Sequence, residues 1–95
     1  MNIQTAYKEK KAAQLKEWSA QINLLEAKID NMGASLKVES AKQMKSLRAT
    51  EHAASEKMKE LGKASGEAWD QVKVTADKVW DELKAGVADA HSKFK

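Results

Sequence analysis

The chain has no proline and no cysteine, and among its 95 residues there are four glycines, five aromatic side chains and a single arginine. Each absence excludes something. Without proline, no position is obliged to break a helix. Without cysteine there is no disulfide framework, no thiolate metal site and no cysteine nucleophile. No apolar run approaches the roughly 20 residues that span a bilayer, and Met1 to Lys16 is polar and lysine-rich, with no apolar core of a signal peptide. The expectation is a soluble cytoplasmic protein.

Catalytic patterns are missing as well. Carboxylates are scattered over positions expected to face solvent, and no activated serine stands out. Gly62-Lys63-Ala64-Ser65-Gly66 resembles a phosphate loop only superficially, because it lacks a preceding strand and a Lys-Ser/Thr pair at its end. His52 and His91, the only imidazoles, are nearly forty residues apart and are expected on the surface, without a carboxylate partner one helical turn away. The four methionines are read as core filler. These readings point to a chain that is not an enzyme and takes no cofactor or metal.

What is present is the composition of long helices: Ala, Lys, Glu, Leu, Gln, Ser and Met. The 17 basic and 14 acidic residues are interleaved along the chain, giving a net charge of +3. That balance describes a solvated surface. The cluster Lys37, Lys42, Lys45 and Arg48 is opposed locally by Glu39 alone and has no aromatics between its members, so nucleic acid is not the expected partner.

Apolar residues recur in alternating steps of three and four at Leu15, Trp18, Ile22, Leu25, Ile29, Met32 and Leu36, a heptad seam. Beyond it the seam thins to Ser40, Met44, Leu47, Glu51, Ala54, Met58 and Leu61, and the steps from Leu36 through Ser40 to Met44 shift its phase. Two places interrupt the pattern. Asp30-Asn31-Met32-Gly33 gathers poor helix formers, with Gly33 as a candidate C-cap and Ser35 as a candidate N-cap; Gly62 to Gly66 holds two glycines and a serine.

Two all-α architectures follow. In the first, a helix over about 3–61 and another over about 66–94 form a long hairpin, a coiled coil that oligomerises to cover its free half. In the second, the chain turns near Gly33 within 31–35, and three helices of about 40 Å each form an up-down-up bundle. The unbroken register from Ile29 to Leu36 favours the hairpin; equal helix lengths favour the bundle. Either way the chain is one helical domain.

The last segment repeats itself. Ala68-Trp69-Asp70-Gln71-Val72-Lys73 recurs eleven residues later as Val79-Trp80-Asp81-Glu82-Leu83-Lys84, and more faintly as Ala90 to Lys95. Eleven residues are close to three turns, so Trp69 and Trp80 fall nearly on one line, beside Val72, Ala76, Leu83, Val87 and Phe94. A helix of this kind suits either a protein core or a lipid surface. Its near-neutral polar face, with Asp70, Asp77, Asp81, Glu82 and Asp89, favours the core.

These residues resemble a family of small bacterial coiled-coil stress-response proteins, known after a cyanobacterial member. The likeness runs through Ala6-Tyr7, Leu15-Lys16-Glu17-Trp18, Leu61 to Lys73, Trp80 to Lys84 and Ser92-Lys93-Phe94-Lys95, and is most specific at Ala64-Ser65-Gly66-Glu67-Ala68-Trp69. It implies a cytoplasmic helical protein linked to stress, with no catalytic or binding residues to carry over. Members have a long uninterrupted first helix, and this sequence departs from that pattern at Asn31 and Gly33.

The functional expectation is a structural or interaction protein that self-associates through Leu15 to Leu36 and through the face of Trp69, Val72, Trp80, Leu83 and Val87; an open head-to-tail contact would extend it into a filament. The alternative is a peripheral protein whose last helix lies on a membrane surface. Another helical protein would use the same stripes.

Overall fold

A computed structural model of the chain describes residues 3–93. Three α-helices follow one another: α1 (Ile3–Asp30), α2 (Ala34–Lys63) and α3 (Glu67–Lys93). They form an up-down-up bundle with extents of 51 × 20 × 17 Å. The second of the two expected architectures is therefore the one adopted, and the 3–61 helix does not form. Phe94, expected beside the tryptophans, lies outside the described residues.

The turn after α1 follows from local chemistry. The backbone N–H groups of Asn31 and Met32 donate to the carbonyls of Lys28 and Ile29, tightening the last turn, and the Asn31 amide donates to the Ala27 carbonyl at 3.1 Å. An asparagine side chain thus takes up one of the carbonyls that a helix end leaves orphaned. Gly33 is not the C-cap of α1. It is the N-cap of α2, with extended backbone at φ −63° and ψ 156° and no side-chain cap, and Ser35 falls inside the first turn instead of capping it.

At the second turn α2 continues through Gly62 and ends at Lys63, where the Ala64 N–H donates to the Glu60 carbonyl at 2.9 Å. Gly66 has φ +56°, the left-handed conformation that costs a side chain about 1–2 kcal/mol. The chain enters α3 from there. Glu67 and Asp70 in the first turn of α3, and His91 and Lys93 in its last, complement the helix dipole.

The core is a single column. Ile22, Leu25 and Ile29 from α1 meet Met44, Leu47, Ala54 and Leu61 from α2, and Trp69, Ala76, Trp80, Leu83, Val87 and Ala90 from α3. Small residues let the helices approach closely. At Gly86 an added Cβ would stand 3.0 Å from Leu47 Cδ1, so α3 lies tight against α2 there.

Candidate interaction surface

Two polar joints tie the helices together. In the first, Trp80 Nε1 of α3 donates to the Lys11 carbonyl of α1 at 3.2 Å, and the Tyr7 hydroxyl donates to Asp77 Oδ1 at 2.5 Å. Lys11 Nζ lies 3.2 Å from the same Asp77 oxygen, and 5.3 and 5.7 Å from the ring centres of Tyr7 and Trp80. Tyr7 meets Trp69 edge to face at 5.6 Å. Burial, and then the bond to Asp77, push the Tyr7 phenol above its ordinary pKa. Burial alone would raise the Asp77 carboxyl too, but the Tyr7 hydroxyl, Lys11 and Lys73 outweigh it and hold the carboxyl below its ordinary value.

In the second joint, Arg48 of α2 reaches Glu26 of α1 at 2.6 Å, Glu51 at 2.8 Å and Asn23 at 2.7 Å. The Arg48 hydrogen bond holds the Glu26 carboxyl below its ordinary value, and Glu26 in turn raises the guanidinium. The arginine of the expected basic cluster is thus spent on the fold. Glu26, distant in sequence, supplies the counter-charge that a local reading of Glu39 misses.

The expected seam residues divide by depth. Ile22, Leu25, Ile29, Trp69, Trp80, Leu83 and Val87 are buried, while Leu15, Trp18, Met32 and Val72 pack against the core half-buried. Leu36 is the exception, 64% exposed. The turn at Asn31–Gly33 resets the helical phase, so Leu36 leaves the seam, and the inward face of α2 runs through Ser40, Met44, Leu47, Ala54 and Leu61. Ser40 Oγ, buried there, donates weakly to Met32 Sδ at 3.5 Å. The stripe expected to be shared between copies is covered within one chain. An interfacial role for Trp69 and Trp80 requires α3 to leave the bundle first.

His52 is exposed as expected, but it has a carboxylate one turn away after all: Glu56 Oε1 stands 3.9 Å from His52 Nε2. Among the described residues no three His, Asp or Glu side chains gather as a metal site would need, and no helix is long and apolar enough to cross a membrane.

What the bundle leaves outside is apolar helix surface. Ile3, Leu24, Leu36, Val38 and Val74 are each at least 60% exposed. Beside Leu24 a groove of about 680 Å³ opens between the second half of α1 and the end of α3, lined by Gln21, Leu24, Leu25, Ala27, Lys28, Asn31 and His91. A smaller groove of about 300 Å³ between α1 and α2 includes Glu26, Lys37, Lys45 and Arg48. No family model, curated protein or solved structure matches the chain.

Proposed function

We propose that this protein is a non-enzymatic structural or interaction protein that acts by helical self-association, through the outer surface of the bundle and not through its core seam. The observation that carries this reading is the set of large apolar side chains turned outward on a bundle that already has a complete core. Exposed leucine and isoleucine on a regular helix face are what helix–helix docking uses. The larger groove is lined mainly by apolar and amide side chains, with Lys28 and His91 at its edge. The stress link is proposed from the likeness to the coiled-coil stress-response family, and a cytoplasmic setting is proposed with it.

Light scattering over a concentration series tests the reading. A mass rising above the 10.5 kDa of one chain is expected, and a constant single-chain mass overturns it. With anionic vesicles at low salt the tryptophan emission should stay unchanged; a blue shift would favour the membrane-surface alternative.

A further inference from the structure

We propose that a second copy of this chain docks antiparallel on the outer face of α1, with a two-fold axis beside the middle of the helix; this names the partner surface of the self-association read above and rests on that reading. On the side of α1 turned away from the core, Ile3, Lys10, Glu17 and Leu24 follow one another at intervals of seven residues. All four are exposed, Ile3 at 83% and Leu24 at 66%. Their order is apolar, positive, negative, apolar. Reversed end to end, that order reads apolar, negative, positive, apolar, so the face is complementary to an antiparallel copy of itself. A parallel copy would set Lys10 against Lys10 and Glu17 against Glu17.

The charges are free for this purpose. Lys10 and Glu17 make no ion pair within the described residues, whereas Lys11, one position away, is committed to Asp77. The spacer positions decide how near a second helix can come. Ala6, Ala13, Ala20 and Ala27 alternate with the four large residues, all of them exposed. In an antiparallel pair each large side chain then lies over an alanine of the other copy: Ile3 over Ala27, Lys10 over Ala20, Glu17 over Ala13 and Leu24 over Ala6. Lys10 of one copy comes within one turn of Glu17 of the other, twice by symmetry. The groove beside Leu24 and Ala27 continues the same face.

The test uses charge reversal in the full chain, with circular dichroism to establish that each variant is folded and sedimentation to read association over roughly micromolar to millimolar concentration. Lys10→Glu and Glu17→Lys each place like charges together in both symmetric contacts, and each should raise the dissociation constant about tenfold or more. The double variant Lys10→Glu/Glu17→Lys, or an equimolar mixture of the two single variants, should restore it. Leu24→Glu should abolish association with the helical signal intact. Single reversals that associate like the parent would overturn the α1 contact while leaving self-association standing; singles that weaken without rescue in the double would overturn the antiparallel pairing. A parent that stays monomeric throughout removes both the contact and the reading beneath it.

Discussion

Tyr7 is a half-buried phenol that touches a carboxylate, two lysines and a tryptophan, all by way of α3 or its own helix. Replacing it with phenylalanine keeps the ring contacts and removes the hydroxyl's contacts with Asp77 Oδ1 and the Lys73 carbonyl, so chemical denaturation at neutral pH should show a loss of about 1–2 kcal/mol. The pH dependence has two arms. Asp77 and Glu26 have depressed pKa values in the fold, so their contribution is complete above the unfolded values, about 4 to 4.5, and is lost as pH falls through the folded ones. Tyr7 is raised, so its contribution is complete below about pH 10 and is lost as pH climbs toward its folded value. Melting temperatures across pH should fall at both ends, and Tyr7→Phe should flatten the alkaline arm.

At the scale of the element, the two turns differ in kind. The first is made by side-chain and backbone hydrogen bonds around Asn31, with Gly33 in a conformation open to any residue. The second depends on Gly66 being glycine. Gly66→Ala should lower stability by about 1–2 kcal/mol, since φ +56° sets Cβ against the carbonyl. Gly62→Ala, four positions earlier in a helical and open site, should instead raise it by up to about 1 kcal/mol. Equal effects of the two changes in a melting experiment would contradict this account of the turn. The inward face of α2 was legible because Ser40, Met44, Leu47, Ala54, Met58 and Leu61 keep helical spacing. The position of its start was not, because Leu36 stands in register with Met32 by coincidence of spacing across a turn. Only the ends of the helices, where Asn31 turns back on Ala27, reveal the break.

For the molecule as a whole, the seam that would hold copies together in an extended rod holds one chain together in a bundle. Ile22 and Leu83 are fully buried. Leu83→Ala should therefore cost about 2–5 kcal/mol by leaving a cavity, and Ile22→Asp, which buries an unpaired carboxylate, should unfold the chain instead of merely dissociating it. Retention of a cooperative thermal transition by Ile22→Asp would mean that this side chain is not enclosed by the bundle.

Helical spacing and composition determined that this chain is all-helical, that the last helix aligns Trp69 with Trp80, and that Gly62 to Gly66 interrupts the helix, while the register running through Gly33 left open whether the chain turns there. These are local consequences of helical spacing and of residues that end helices. Folding back decided the rest. Whether a seam is covered by the same chain or by another depends on the direction the chain takes after Asn31, and the pairing of Arg48 with Glu26 or of Lys11 with Asp77 joins residues far apart in sequence. The outer face of α1 stood in the sequence all along, but a stripe of alanines with Lys10 and Glu17 acquires meaning only once the bundle has used the opposite face and left this one in solvent.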